Sequence, residues 1–312
     1  MNLMNTLYKH LINVAYRLKD IKNHVTVIHS FSELEEYLEK TKESFLISDQ
    51  EGQKFLRTWR FCPKLSLPKD PFSDDYRIKQ LELYEKISGK NSSFYKEVAQ
   101  ESHSQEQLLN DTYPYSTKDL NIVGEEYSSF GYWLKAMTSI TPQKRVVEFG
   151  AGCGNLSLAL ARSGMNVTAL DISQRYIDTI RAKAKKDNLN LECVVSDMVD
   201  FSPSDYIDVA IFCESFHHSD HHIKLMKTLD KVLHPRKGVI YFLGEPVTYF
   251  NSPWGVRLDA ESIWAARQNG WLELGFDIRY FKSLLKEFSW DYSFTRSKKV
   301  NHNAFVIKAT RA

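Results

Sequence analysis

The sequence predicts an α/β protein: a mostly parallel β-sheet with helices on both faces, preceded by an N-terminal accessory region. Three observations carry this. From Lys144 onward, short apolar runs alternate with amphipathic helical stretches, the pattern of parallel strands joined by crossover helices. The first of these runs ends in a glycine-rich turn that leads directly into a helix, as in folds that hold a ligand at the carboxyl ends of their strands. The chain of 312 residues is long enough for one such domain with an appendage of about a hundred residues.

In chain order, the expected N-terminal elements are a strand over 24–29 and a helix opened by Ser32 as N-cap with Glu35 at N3. Pro63, Pro68 and Pro71 then punctuate the chain, and a helix over 74–88 is framed by Ser73 as N-cap and Gly89 as stop. Residues 90–120 are polar and weakly patterned, which suggests a linker or lid. A helix over 123–138 leads into the main domain. Strands are expected over 145–149, 166–171, 191–196, 207–212 and 239–243, with helices over 155–163, 173–187 and 221–233 between them. A helix over 281–288 and strands over 291–296 and 304–309 end the chain as a hairpin at the sheet edge. These elements imply two parts: 1–120 as an accessory, lid or dimerisation region, and 121–312 as the main domain.

Composition excludes several classes. Hydrophobic residues make up 43% and charged residues 26%, which fits a globular protein with a sizeable core. A formal net charge of +2 with no Lys/Arg stripe argues against nucleic acid as a partner. The cysteines Cys62, Cys153, Cys193 and Cys213 form no CxxC pair, which argues for reduced thiols and a cytoplasmic location. No stretch approaches the roughly 20 apolar residues of a membrane span. Leu3, Leu7, Leu11, Val14, Tyr16 and Leu18 suggest instead an amphipathic helix with a basic face that packs on its own domain or on a second copy, with docking on a membrane surface as the alternative, so a homodimer is an expectation.

The functional signal begins at the first strand of the main domain. It ends in Glu148-x-Gly150-x-Gly152-x-Gly154, followed by Asn155 at the start of a helix. Glycines there let the backbone turn tightly and approach a ligand, and the helix N-terminus offers free N–H groups. A dinucleotide loop of the form GxGxxG would need its last glycine at position 155, which is Asn155. The second strand ends in Asp171-Ile172, where a carboxylate can accept both hydroxyls of a ribose. The third is followed by Asp197-Met198, a carboxylate for an exocyclic amine beside an apolar cover for its ring.

Singly, each of these has a structural explanation, because a glycine turn can be only a turn and an Asp after a strand only an N-cap. In order and spacing, residues 144–245 resemble the class I methyltransferases, with VVEFGAGCGN, ALDIS and VVSDM as the glycine, ribose and adenine motifs. The resemblance implies a Rossmann-like seven-stranded sheet with the last strand antiparallel and S-adenosyl-L-methionine as cofactor. It implies cofactor contacts from Glu148, Gly150, Gly152, Gly154, Asn155, Asp171, Ile172, Asp197 and Met198, with Tyr115 of the YPYST segment added. Over residues 70–280 the sequence is also similar to methyltransferases of bacterial surface-polysaccharide clusters, although Arg236-Lys237 stands where many of those have consecutive glycines.

The acceptor side is expected after the fourth strand, in Glu214-Ser215-Phe216-His217-His218. Methylation of an alcohol requires removal of a proton, and histidine is matched to that task near neutral pH. His217 or His218 is the expected general base, with Glu214 orienting the base or the substrate. His221 and His222 open a helix and are expected to cap it or be solvated. Four histidines with Glu214 and Asp220 could hold a divalent metal through two histidines and one carboxylate, but neighbouring residues point in different directions, so not all can converge and no metal is the expectation. Glu245, Trp254, Arg257, Asp259 and Trp264 are the expected acceptor contacts, with Arg257, Arg267 and Arg279 as candidates for a phosphate or diphosphate. The competing assignment for the tryptophans is core packing. The expected activity is O-methylation of a sugar hydroxyl on a nucleotide-activated sugar, a small-molecule substrate, for capsule or lipopolysaccharide; N- or C-methylation and a non-catalytic cofactor-binding module are the alternatives.

Overall fold

The computed structural model describes residues 14, 20, 22, 24–91, 93, 105–110, 118–250, 252–296 and 305–311. The expected N-terminal amphipathic helix, Tyr115 and most of the 90–120 linker lie outside the described residues, apart from a short helix, Gln105–Asn110. The chain divides into two compact units, Met1–Tyr95 with Val247–Tyr280, and Lys96–Pro246 with Phe281–Ala312. This differs from an expected boundary at 120 with 121–312 in one piece. The reason lies in side chains of 247–280, which pack on the N-terminal elements.

In the first unit, β1 (Thr26–Ile28) pairs in parallel with β2 (Trp59–Phe61), and helices α1 (Phe31–Ile47) and α2 (Asp49–Leu56) connect them. The cap of α1 falls two residues earlier than expected, at Ser30 instead of Ser32. Ser30 Oγ accepts from Glu33 N at 3.2 Å, and Glu33 Oε2 accepts from Ser30 N at 2.8 Å. Both frames satisfy the capping pattern, and the earlier one also sets Phe31 against Phe61, 5.2 Å between ring centroids. Helix α3 (Asp74–Ser88) begins and ends as its cap residues predict. Its Tyr76 hydroxyl donates to Trp254 O at 2.9 Å, and Gln80 Oε1 accepts from Val256 N at 3.0 Å. In this way α3 fixes a small sheet absent from the sequence-based expectation: β8 (Val247–Thr248), β10 (Leu274–Asp277) and β9 (Trp254–Val256), in that order. Helix α9 (Ala260–Asn269) completes the unit.

The second unit holds α4 (the Gln105–Asn110 helix), α5 (Leu120–Ala136) and a seven-stranded sheet. Its strands are β3 (Arg145–Phe149), β4 (Asn166–Asp171), β5 (Leu191–Val195), β6 (Val209–Cys213), β7 (Val239–Leu243), β11 (Trp290–Arg296) and β12 (Phe305–Arg311). The spatial order is β11-β12-β7-β6-β3-β4-β5, and β12 alone runs opposite to the other six strands. Helices α6 (Asn155–Arg162), α7 (Gln174–Lys186) and α8 (His222–Val232) form the crossovers, and α10 (Ile278–Glu287) precedes the expected edge hairpin.

Strand alternation sorts the core to two faces. Val146, Ile211 and Leu243 meet Trp133 of α5, Met137 at its C-cap, and Leu156 and Leu160 of α6. On the other face, Phe149, Phe212 and Phe242 occupy one row across β3, β6 and β7, stacked at 5.0 and 5.5 Å. Phe216 and Phe281 meet Phe242 edge-on at 5.1 Å. Phe212 is fully buried at the centre of this cluster. Phe212→Ala should cost about 3–5 kcal/mol, read as a lowered midpoint of urea unfolding; an unchanged midpoint would remove the row from the stabilising core.

Candidate active site

The carboxyl ends of β3, β4 and β6 are tied together by backbone and carboxylate hydrogen bonds. Gly150 N and Ala151 N both donate to Leu170 O, at 2.8 and 2.9 Å, which folds the glycine turn back over β4. Gly150 has φ +72°, and a Cβ there would lie 2.7 Å from Ser215 Cβ. Gly154, at φ +76°, is the N-cap of α6, and a Cβ there would meet Ile180 Cγ1 at 2.6 Å. Only glycine satisfies both constraints at these two positions. A Cβ on Gly152 would find nothing within 4 Å, so that face of the turn borders open space.

Asp171 is buried, and each of its oxygens holds one backbone N–H: Ser173 N on Oδ1 and Gly152 N on Oδ2, both at 2.8 Å. Burial pushes its carboxyl above the usual range, opposed by those N–H groups and that of Ile172. Each carboxylate oxygen can accept a second donor, which suits the two hydroxyls of a ribose. Ile172 is half-buried beside it. Ser196 N donates to Asp171 O at 3.0 Å, which draws the end of β5 to the end of β4. Asp197 Oδ1 accepts from Val199 N at 3.1 Å, and half-buried Met198 reaches within 3.7 Å of the Cβ position of Gly150. Asn155 is exposed at the first residue of α6.

Glu148 departs from the expected cofactor contact. It is buried, and its Oε2 accepts from the Ser157 hydroxyl, so it joins β3 to α6 behind the glycine turn. Burial pushes its carboxyl up to about 7, helped by the charge of Asp171 and opposed by Ser157. Ser157 was invisible as a site residue because a serine inside an apolar helix carries no signal of what it faces.

At the end of β6, Glu214 adopts φ +51°, a left-handed conformation uncommon for a residue other than glycine. Its N–H donates to Leu243 O at 2.9 Å. A one-turn 3-10 helix, Phe216–His218, follows. His217 is buried, half-buried His218 lies with its ring centroid 4.1 Å away, and Ser215 Oγ donates to Phe149 O at 2.6 Å. Glu245, expected at the acceptor, is instead completely buried, and its carboxylate accepts from this turn. A side chain without solvent access, already engaged by the turn, does not serve as a substrate contact. His221 caps α8 by accepting from Lys224 N, and buried His222 is pushed down to about 3 by desolvation and is therefore neutral.

The remaining expected acceptor residues lie in the first unit, where each has a structural partner. Trp254 is buried against Tyr76 and donates to Pro71 O at 2.8 Å, so the core-packing assignment holds. Trp264 stacks on Phe45 with rings 4° from parallel. Asp259 is the N-cap of α9. Arg257 pairs with Asp259 at 3.1 Å and Glu273 at 3.6 Å, Arg267 with Glu35, and Arg279 with Asp277 at 2.9 Å. These arginines are neutralised by acids within their own unit, which removes the basis for a phosphate subsite built from them.

The methyltransferase-domain family model matches residues 146–236, the span that holds the glycine turn, Asp171, Asp197 and the histidine turn. The match assigns this segment to a methyltransferase domain, with S-adenosylmethionine as its cofactor. Relatives of the methyltransferase domain include a protein named a methyltransferase in Geobacillus sp. (strain WCH70), 25% identical over 34% of this chain and 51% of that one. An S-adenosyl-L-methionine-dependent Diels-Alderase of Talaromyces variabilis is 33% identical over 29% of this chain and 33% of its own length. A ubiquinone biosynthesis O-methyltransferase of Actinobacillus pleuropneumoniae serotype 7 (strain AP76) is 28% identical over 32% and 44%. The chain thus spans about half or less of the length of these curated relatives. The fold is also that of geranyl diphosphate C-methyltransferase from Streptomyces coelicolor A3(2), with a TM-score of 0.51 and 15% identity over 70% of this chain and 98% of that one. Among the described residues, no helix is long and apolar enough to cross a membrane.

The open face at Gly152, the paired oxygens of Asp171 and the apolar Met198 beside Gly150 form a donor and acceptor set that fits S-adenosylmethionine.

Proposed function

We propose that the chain methylates an oxygen of a small molecule, with a sugar hydroxyl on a nucleotide-activated sugar as acceptor, in capsule or lipopolysaccharide synthesis. The observation that carries the chemistry is His217, held at the carboxyl end of β6 by a buried carboxylate, in the same unit as the glycine turn and Asp171. Asp171 and the turn bind the cofactor, Met198 covers its adenine, and Asp197 takes the adenine amine. When bound, S-adenosylmethionine supplies a sulfonium methyl whose bonding pair stays on sulfur as the acceptor oxygen takes the carbon. His217 removes the acceptor's proton, and His218 and Glu214 line the approach.

The sugar assignment is supported by the resemblance of residues 70–280 to polysaccharide-cluster methyltransferases. The reading takes the protein to act in the cytoplasm as a monomer or homodimer, without a metal and without nucleic acid. A second reading has its own support: the Talaromyces variabilis relative is named for a Diels–Alder reaction, so a domain of this kind is compatible with chemistry other than methyl transfer.

The test is mass spectrometry of a panel of nucleotide sugars incubated with the protein and S-adenosylmethionine, with and without a chelator. The expected result is one added methyl on one sugar, insensitive to the chelator and reduced about 100-fold or more by His217→Ala. A methyl gain on nitrogen or carbon would replace the O-methyl reading, and cofactor binding with no gain on any sugar would overturn the sugar assignment.

A further inference from the structure

Glu148 and Asp171 stand toward the carboxyl ends of neighbouring strands, and both are buried. Glu148 pairs with Ala169 across β3 and β4, and Asp171 lies two residues beyond Ala169, so both side chains leave the same face of the sheet. Glu148 accepts the hydroxyl and the backbone N–H of Ser157, in the first turn of α6. Asp171 accepts backbone N–H groups from Gly152, Ile172 and Ser173. Among the described residues, no cation acts on either carboxylate. Burial, with the charges of Glu214, Glu148, Glu245 and Glu126, pushes the Cys213 thiol at the end of β6 well up, so it is neutral. Two buried negative charges on one face repel each other and have lost their water, so the pair keeps a proton below neutral pH. Glu148 keeps it. Its donors come from one residue, and the Ser157 hydroxyl can donate to a carboxylate or accept from a carboxyl, so either state is satisfied.

We propose that Glu148 gives up its proton to solvent when S-adenosylmethionine binds, because the cofactor is the cation that this pair of carboxylates lacks. This rests on the reading that the cofactor lies against the glycine turn and Asp171, whereas the acceptor plays no part in it. The sulfonium and ammonium outweigh the cofactor's own carboxylate, so a net positive charge enters beside two acids that have none, and an opposite charge favours the ionised carboxylate. S-adenosylhomocysteine lacks the sulfonium and brings no net charge. The sign of the coupling follows. Burial holds the Glu148 carboxyl at about 7 in the empty site, so below that pH binding must first expel a proton. Affinity for S-adenosylmethionine therefore rises with pH up to about 7 and is level above it.

Isothermal titration of the full chain with S-adenosylmethionine at about pH 6, in two buffers of different ionisation enthalpy, counts the protons released. The parent should release about half a proton or more, and Glu148→Gln, which cannot ionise, about none. Between about pH 5 and 7 the Kd of the parent should fall about tenfold or more, while that of Glu148→Gln changes less than about threefold. S-adenosylhomocysteine should release fewer protons from the parent than S-adenosylmethionine does. Release that persists in Glu148→Gln, or equal release with the two ligands, overturns the proposal. If Glu148→Gln fails to fold, the two ligands on the parent decide it. No release from the parent, with binding still weakened by Asp171→Ala, overturns the proton coupling and leaves the placement of the cofactor standing. Binding unaffected by Asp171→Ala removes both.

Discussion

Asp171→Ala should weaken binding of S-adenosylmethionine by about 100-fold or more, measured by isothermal titration. A hydrogen bond to a charged group contributes roughly 1.5–3 kcal/mol, and Asp171 has an accepting position on each oxygen for a ribose hydroxyl. The same substitution removes the acceptor that holds Gly152 N at 2.8 Å, so the glycine turn loses its tie to β4 as well. Asp171→Asn separates the two effects. Its amide oxygen can keep one N–H while its NH2 must face another donor, so affinity should fall by an intermediate amount. Binding unchanged in both variants would mean that the cofactor lies elsewhere in the domain.

Glu148→Gln should stabilise the protein above neutral pH and leave it unchanged in mild acid. Burial raises the Glu148 carboxyl from 4.5 to about 7, so the folded chain retains a proton that the unfolded chain releases between those values. A group whose pKa is raised on folding, when it is an acid, favours the folded state while protonated. Stability therefore falls as pH climbs from about 4.5, and the loss is complete above about 7, at about 3 kcal/mol. A neutral glutamine keeps an acceptor for Ser157 and carries no such dependence. Thermal unfolding at pH values across this window should show the two proteins converging near the acid end and the variant melting higher at the alkaline end. Parallel melting curves across the window would mean that Glu148 is better solvated than its burial implies.

The sheet was legible because its central strands are bounded apolar runs between caps and turns. The ranges 145–149, 166–171 and 239–243 coincide with β3, β4 and β7, and the cofactor-side motif coincides with the turn between β3 and α6. The small sheet of the first unit was not legible, because β8 to β10 are two to four residues long and their partners lie far away in sequence. Trp254 looked like a pocket wall for the same reason: its aromatic type is visible, but Tyr76, 178 residues distant, is not. Arg257 and Arg267 looked free for phosphate because formal charge is local information, whereas their acids Glu273 and Glu35 are brought up by the fold; the acid of Arg279, Asp277, is two residues away, and only its direction was hidden. Glu245 showed the opposite failure. Its position after a strand was correct for a site, but its direction, inward to the histidine turn, is set by a 3-10 helix about 30 residues earlier that no periodicity announces.

The first unit is assembled from two stretches of chain, one before residue 96 and one from 247 to 280, with the whole sheet of the second unit through β7 encoded between them. During synthesis, Tyr76, Gln80 and Tyr84 of α3 emerge with their apolar faces uncovered, since their partners Trp254, Val256 and Gly270 are translated more than 170 residues later. At roughly 5–20 residues per second, that interval is on the order of ten seconds or more. The early helices must remain soluble for that time, and a nascent chain halted before residue 247 would present a surface for chaperones that the finished protein does not.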